Sequence, residues 1–341
     1  MKFLTALILL LGTSAPGYSP ARTFTDHPTK RAVPPAPRYT SWIVGDTADV
    51  SPTPRPGLVL AGGGTDQDEA MRWFLKRANG GDIVIIRASG AAGYNKYLFK
   101  ELGEKVNSVE TLLIDSRQVA CDPDVARKLR NAEALFIAGG DQGKYAEYWK
   151  DTPVAGAINY LLTQKRVTVG GTSAGCAILS GLYFDAQNGT VTSEEALTNP
   201  YDPKVLLHRD DFLKAPFLQN FITDMHFSNR NRQGRLVVFL ARAAQDWGLS
   251  PKGIGMDEKT ALCLDETGAA RLYGSGQVYL MEPLTAPTRC QAGQSLDWHP
   301  ADRRALRVVI LRPGGRWNVN TWQGDAKSAH YYVQNGELKT L

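Results

Sequence analysis

Several features that would assign this chain to a common class of protein are scarce in its sequence. No run of basic residues occurs, and 39 Lys and Arg against 34 Asp and Glu leave a net charge of only +5. That excess is too small to argue for a nucleic-acid partner. The four cysteines include no C-x-x-C pair, so the sequence gives no sign of a metal site.

The glycine-rich turns also lack the marks of nucleotide binding. The triplet Gly62-Gly63-Gly64 has no third spaced glycine of the dinucleotide fingerprint, and no phosphate loop with its lysine is present. We therefore expect neither a metal nor an organic cofactor.

Long apolar runs are missing except near the N-terminus, where residues 3–11 follow Lys2 and precede small residues and prolines. This pattern is typical of a secretory signal peptide and is too short to span a membrane. We predict a signal over residues 1–21 and a secreted or periplasmic protein with no later membrane contact; an uncleaved N-terminal anchor is the alternative. Export would allow a disulfide, for which Cys263 and Cys290 are the candidates.

The remaining chain divides by composition. Residues 22–56 are rich in proline and predict an extended lead-in. Apolar β-branched runs then predict strands at 58–62, 82–89, 109–115, 134–139 and 167–171, with helices at 66–79, 95–106, 123–131 and 142–163, the last broken near Pro153. This alternation favours an α/β domain with a parallel sheet over residues 57–283. Residues 284–341 form a β-rich C-terminal extension, whose Trp298, Trp317 and Trp322 line a polymer-binding surface or belong to the core.

The stretch with the most chemical content is 166–179. A short strand turns at Gly171-Thr172-Ser173-Ala174-Gly175 into an apolar helical run. This is the G-x-S-x-G pattern of a nucleophile elbow, in which small neighbours allow the bend that exposes a serine hydroxyl. Because a plain tight turn favours the same residues, Ser173 is a candidate nucleophile that needs support from elsewhere.

Glycines also follow the predicted strand at 134–139, in Gly139-Gly140-Asp141-Gln142. Sites in parallel sheets lie at the carboxyl ends of the strands. We therefore expect amides near Gly140 to stabilise an oxyanion together with the amide of Ala174. A tight turn is the alternative, as it is for Gly62-Gly63-Gly64.

A histidine and two carboxylates follow Ser173 in the order of a catalytic triad. Of the five histidines, only His226 lies at a predicted strand end, and Glu194 and Glu195 are adjacent acids upstream of it. Histidine is the common base for a serine hydroxyl, and a carboxylate fixes its tautomer. The short spacing from Ser173 leaves too little room for the elements that separate elbow and acid in an α/β-hydrolase, so we expect a different sheet.

Several motifs, in this order along the chain, resemble the cyanophycinases, in the serine peptidase family that also contains peptidase E. The similarity covers about residues 57–283 and includes Gly139-Gly-Asp-Gln142, Gly171-Thr-Ser-Ala-Gly175, residues 192–202, Asp224-Met-His-Phe227 and Gly253-Ile-Gly-Met-Asp257-Glu258.

This resemblance implies a flavodoxin-like parallel sheet with helices on both faces, similar to class I glutamine amidotransferases with serine in place of cysteine. It maps the nucleophile onto Ser173, the base onto His226 and the acid onto Glu195, with Glu194 as the alternative. It also implies a homodimer.

The resemblance implies a substrate site as well. Cyanophycin is a polyaspartate with arginine on each β-carboxyl, so its cleavage into β-Asp-Arg dipeptides requires recognition of carboxylate and guanidinium groups. Paired arginines bind carboxylates well, and acids or amides accept from cations. The implied substrate residues are Asp141, Gln142, Asp224, Arg230, Arg232 and Arg235. One departure is Met225, which stands where cyanophycinases commonly have glutamine and which makes no strong hydrogen bond.

We therefore predict an exported serine-type exopeptidase that hydrolyses cyanophycin through an acyl-enzyme. A peptidase of the same fold that acts on other Asp-containing or isoaspartyl peptides is one alternative. An inactive exported binding protein is another.

Overall fold

The computed structural model describes residues 39–324 and 326–341. The predicted signal peptide and the first part of the proline-rich lead-in lie outside these residues. Among the residues that are described, no helix has the length and apolar character needed to cross a membrane.

The larger sheet is built on a core of parallel strands. Its first six strands are β1 (Thr40–Gly45), β2 (Gly57–Ala61), β3 (Asp82–Arg87), β4 (Ser108–Leu113), β5 (Ala134–Ile137) and β6 (Thr168–Thr172). They lie in the order β1-β4-β3-β5-β6-β2, and all except β1 run parallel. The five predicted parallel strands are confirmed. Residues 40–45 of the predicted extended lead-in form the antiparallel edge strand β1, so the sheet begins before Gly57.

Helices cover both faces of this sheet, as predicted. They are α1 (Asp68–Arg77), α2 (Gly93–Lys96), α3 (Arg117–Ala120), α4 (Pro123–Asn131), α5 (Gln142–Trp149) and α6 (Pro153–Tyr160). Apolar residues of α4, α5 and α6 pack on one face, and those of α1 pack on the other. The predicted break near Pro153 is confirmed, because α5 ends at Trp149 and α6 begins at Pro153. A helix accepts proline only in its first turn, where no backbone N–H is needed for a helical hydrogen bond.

A second sheet carries the later part of the chain. It contains three parallel strands, β7 (Leu182–Phe184), β9 (Phe221–Met225) and β10 (Lys252–Met256), with the antiparallel β8 (Leu207–Arg209) beside β7. Three helices belong to this part of the chain: α7 (Ala174–Ala177), α8 (Ser193–Thr198) and α9 (Gln233–Trp247).

The C-terminal strands extend both sheets. The larger sheet continues past β2 with β11 (Thr260–Asp265), β12 (Ala269–Gly274), β15 (Arg316–Asn318) and β16 (Gln323–Gly324). The second sheet continues past β10 with β13 (Val278–Pro283), β14 (Leu306–Leu311), β17 (Ser328–Gln334) and β18 (Glu337–Thr340). Trp298, Trp317 and Trp322 are all buried, so they belong to the core and not to a polymer-binding surface.

All four cysteines are free. Cys263 lies in the apolar cluster between β11 and α1, whereas Cys290 lies in the core of the second sheet. The candidate pair Cys263 and Cys290 is therefore not bridged, because the two thiols belong to different cores.

Candidate active site

Ser173 lies in the sharp turn between β6 and α7. Its backbone has φ of 52° and ψ of −120°, a strained conformation for a residue with a side chain. The flanking glycines are required by close packing: a Cβ on Gly175 would lie 2.2 Å from the Ile137 carbonyl oxygen. The residues of the G-x-S-x-G pattern thus form a true elbow.

The Ser173 hydroxyl contacts a histidine at the end of a strand in the other sheet. Its Oγ lies 2.7 Å from Nε2 of His226, which directly follows β9. Both residues were predicted from the sequence, and the fold brings them together. This distance allows the imidazole to accept the serine proton.

The other imidazole nitrogen contacts a carboxylate that sequence analysis did not select. Glu258 Oε1 lies 2.6 Å from Nδ1 of His226. Glu258 comes two residues after β10, which runs parallel to β9 with Met256 opposite Met225. Since Nδ1–H then donates to Glu258, Nε2 is left as the acceptor that faces Ser173.

The structure does not bring Glu195 to His226, so the choice of Glu195 as the acid is corrected to Glu258. Glu195 closes a capping box with Thr192 at the start of α8. Its other oxygen lies 2.7 Å from Nζ of Lys204, and these partners lower the pKa of Glu195 to about 2. Glu194, the alternative, is exposed on the same helix. Both acids occupy the first turn of α8, where carboxylates stabilise the helix dipole.

The surroundings of His226 favour its neutral form. Burial lowers the pKa of the imidazole, Arg230 and Arg232 lower it further, and the hydrogen bond to Glu258 opposes these effects. A neutral imidazole is the form that can take a proton from a serine.

One of the two amides expected to stabilise an oxyanion belongs to the residue after Ser173, and the other belongs to the turn after β5. Ala174 is the first residue of α7, so its N–H has no acceptor within the helix. In the turn after β5, a Cβ on Gly139 would lie 3.5 Å from Cβ of Ser173. Gly140 is exposed next to it, and Tyr145 holds this turn by donating to the Gly139 carbonyl.

Asp141 and Gln142 begin α5 directly after this turn. The Asp141 carboxylate accepts from the amide of Gly143 at 2.9 Å and so caps the helix. One of its oxygens is thus committed to the backbone. Gln142, the first residue of the helix, is partly exposed.

Two of the predicted substrate residues are instead buried against each other. Asp224 and Arg235 each expose 2% of the side chain, and Arg235 donates to both carboxylate oxygens, at 2.7 and 2.5 Å. Arg235 also donates to Thr190. The prediction that Asp224 and Arg235 contact substrate is corrected, because both side chains are buried in a bidentate ion pair and a substrate cannot contact either one.

The two other arginines differ in exposure. Arg232 is mostly buried and donates to the Met225 carbonyl at 2.7 Å, and burial lowers its pKa to about 10. Arg230 is exposed, and nothing in the described ranges forms an ion pair or hydrogen bond with its guanidinium. Arg230 is therefore the cation best placed to meet an anionic group.

Met225 was the one departure within the resembling motifs. Its side chain, at the end of β9 in the second sheet, is only 3% exposed and packs in an apolar cluster that contains residues of both sheets. The exchange of glutamine for methionine thus falls on a core side chain and not on the exposed surface of the site.

The profile of peptidase family S51 matches residues 91–272, more than half of the chain. The chain belongs to peptidase family S51. It is therefore a serine-type peptidase, and the matched region of this S51 protein contains Ser173, His226 and Glu258.

Curated relatives of this S51 peptidase are cyanophycinases at low identity. The chain is 26% identical to a cyanophycinase of Synechococcus elongatus over 278 residues, 78% of this chain and 80% of the relative. It is 27% identical to one of Trichormus variabilis over 277 residues, with 78% and 86% covered. The crystal structure of a peptidase from an acI-B1 Actinobacterium matches with a TM-score of 0.52 at 16% identity, covering 78% of this chain and 98% of that one, which supports the fold alone.

Proposed function

We propose that this S51 peptidase is an exported cyanophycinase that releases β-Asp-Arg dipeptides through a Ser173 acyl-enzyme. The observation that carries the proposal is the continuous hydrogen-bonded chain from Ser173 through His226 to Glu258. Cyanophycin is proposed as the substrate because the relatives that match 78% of the chain are cyanophycinases.

In the proposed reaction, Ser173 attacks the carbonyl carbon of the scissile bond while Nε2 of His226 takes the hydroxyl proton. Glu258 holds the ring orientation and stabilises the imidazolium. The amides of Gly140 and Ala174 stabilise the oxyanion. His226 then gives the proton to the leaving amine, and a water activated by the same histidine hydrolyses the acyl-enzyme.

The charges around the site fit a substrate that carries carboxylates. Arg230 is exposed, and both Arg230 and Arg232 act electrostatically on His226. A carboxylate of the polymer that binds Arg230 would thus lie beside the catalytic base, and Gln142 is exposed enough to contact the amide groups.

Export is part of the proposal and depends on the N-terminal sequence. Lys2 is followed by the apolar run of residues 3–11, and the small residues Ser19 and Ala21 stand at positions −3 and −1 of the predicted cleavage site. An exported enzyme would act on polymer outside the cytoplasm. Mass spectrometry of the mature protein from the producing cell would support this by an N-terminus near residue 22, and an N-terminus at Met1 would contradict it.

The deciding experiment incubates purified cyanophycin with the protein and with Ser173→Ala, and measures β-Asp-Arg by mass spectrometry. We expect release by the wild type and none by the variant. If the folded protein labels with a fluorophosphonate but releases no dipeptide, the substrate is another β-linked or Asp-containing peptide. A protein that neither labels nor releases dipeptide would support the binding-protein alternative.

A further inference from the structure

The hydrogen-bond ladder between β9 and β10 ends next to the proposed base. Its last backbone bond runs from the amide of Phe227 to the carbonyl of Met256, at 3.0 Å. His226 has φ of 51°, in the left-handed region, so the chain leaves the strand there and forms one helical turn at Ser228–Arg230. Beyond Phe227, side chains and not backbone carbonyls accept the bonds that join the two segments.

Two side chains supply these bonds. The buried carboxylate of Asp257 accepts through Oδ1 from the amide of Ser228 at 2.9 Å and from its hydroxyl at 2.6 Å. In the other direction, the amide of Glu258 donates to Oδ1 of Asn229 at 2.9 Å. The segment that follows the base and the segment that carries the acid therefore hold each other through side chains on both.

The acid depends on this support because its own side chain is held at one point. In the described part of the chain, the Glu258 carboxylate has a hydrogen-bond partner in His226 alone, and 31% of the side chain is exposed. A long carboxylate loses rotamer freedom when it is fixed, so its position depends on how firmly its backbone is held. The imidazole is confined more closely, because a Cβ on Gly63 would lie 2.4 Å from its Cε1.

We propose that Asn229 is a positioning residue for the catalytic acid, holding the backbone of Glu258 so that the carboxylate meets His226. The proposal rests on the triad of the proposed function. The side chain of Asn229 bonds to the Glu258 backbone and not to a reacting atom, so its effect on the reaction passes through the acid. The bonds between Ser228 and Asp257 fix the turn that carries Asn229.

The test measures kcat and KM for dipeptide release, together with the rate of fluorophosphonate labelling, in Asn229→Ala and Asn229→Asp. The first variant removes the acceptor, so kcat and the labelling rate should fall about 10- to 100-fold with KM unchanged, as for a small misplacement of a catalytic group. The second variant keeps an acceptor oxygen and should stay close to the wild type in both rates.

The dependence on pH separates positioning from a loss of folded protein. Burial lowers the pKa of His226, and the hydrogen bond to Glu258 raises it. The other charged groups near the ring, Arg230 and Arg232, lower it. When Asn229→Ala loosens the bond to the acid, the pKa falls, and the acid limb of kcat/KM should move to lower pH. A smaller folded fraction would scale the profile without moving it, and a displaced Arg230 would move the limb to higher pH.

A double variant tests whether Asn229 acts through the acid. In Glu258→Gln the carboxylate is already lost, so the addition of Asn229→Ala should lower kcat no further. A second loss of about 10-fold or more, on top of that in Glu258→Gln, would mean that Asn229 acts on another group and would overturn the proposal.

The opposite ends of the same two strands offer a matched control. Asn220 directly precedes β9, and its side chain donates to the carbonyl of Ser250, two residues before β10, at 3.2 Å. It is an exposed asparagine like Asn229, but it lies at the end of the strands that is remote from the triad. Asn220→Ala should therefore leave both rates and the acid limb unchanged. If Asn229→Ala does not fold, Asn229→Leu also removes the acceptor and should lower the rates in the same way.

Wild-type rates in Asn229→Ala would overturn the positioning role, as would a loss of rate with the acid limb unmoved or an equal loss in Asn229→Asp. Because labelling needs no polymer, the role is measured even when cyanophycin is not the substrate. Wild-type rates in Glu258→Gln would instead overturn the proposed acid, and with it the role of Asn229.

Discussion

His226 and Glu258 follow two neighbouring parallel strands, and their side chains meet at 2.6 Å between Nδ1 and Oε1. Glu195, which lies much nearer to Ser173 in sequence, is bound to Lys204 instead. The two acids can therefore be separated by substitution.

Glu258→Gln should lower kcat about 10³- to 10⁴-fold, because the amide no longer stabilises the imidazolium or its productive tautomer. Glu195→Gln, the matched control, should leave kcat unchanged. Steady-state kinetics of dipeptide release would check both. A large loss of kcat in Glu195→Gln with activity retained in Glu258→Gln would contradict the assignment from the structure.

Arg230→Gln should move the acid limb of the profile of kcat/KM against pH towards higher pH. Arg230 lowers the pKa of His226, so its removal lets that pKa rise, and the neutral base is then lost at a higher pH. The shift should be less than about one unit, since the cation is exposed to water. An unchanged limb would show that the Arg230 side chain does not influence the imidazole.

Arg235→Met should lower the free energy of unfolding by about 3–5 kcal/mol, because it leaves Asp224 buried without its partner. Arg230→Met should change it by less than about 0.5 kcal/mol, since that side chain is exposed. Urea denaturation of the three proteins would measure the difference. Equal stability of the two variants would mean that the buried pair is not formed in solution.

The contribution of His208 to the free energy of unfolding should fall as the pH rises. Its Nε2 lies 2.6 Å from Oδ2 of the buried Asp185, and this hydrogen bond raises its pKa, helped by Asp211 and opposed by burial and by Lys150. Tyr183 stacks on the ring. Because the folded pKa is above the unfolded one, the contribution is complete below about pH 6.5 and is lost as the pH passes the raised pKa.

The measurement compares urea denaturation of the wild type and His208→Gln between pH 5.5 and 8.5, values set by the ordinary histidine pKa of about 6.5. The lowered pKa of His226 changes the pH dependence of stability in the opposite direction, but it does so in both proteins. The quantity to follow is therefore the difference in the free energy of unfolding between wild type and variant. We expect the advantage of the wild type to shrink as the pH rises. A constant difference would mean that His208 does not titrate with folding.

The parallel strands, the elbow at Ser173 and the position of His226 could be predicted, because each depends on residues that are close together in the sequence. The strands of the larger sheet could be predicted because apolar β-branched runs such as 83–86 are buried on both faces. The elbow could be predicted because only small residues fit around Ser173. His226 was identifiable by its position at the end of an apolar strand.

The acid could not be predicted because it depends on which strands are neighbours. Glu258 reaches His226 only since β10 returns beside β9 after the long helix α9, a pairing that no local pattern encodes. The one available signal was the motif at residues 253–258, in which Asp257 and Glu258 follow a strand as His226 does.

The burial of Asp224 near the end of β9 could not be predicted from the sequence either. Asp224 looked like a substrate ligand because it stands beside His226 and near three arginines. The fold turns its carboxylate towards Arg235 in the interior instead, so the same charges serve stability and not recognition.

The free cysteines have a practical consequence. Cys176, Cys263 and Cys290 are buried, and burial raises the pKa of each thiol, that of Cys290 to about 12. Only Cys121, at the end of α3, is exposed to solvent. Thiolates and not thiols react with maleimides. The native fold therefore exposes a single thiol, so one dye can be attached to the enzyme at Cys121 without mutagenesis.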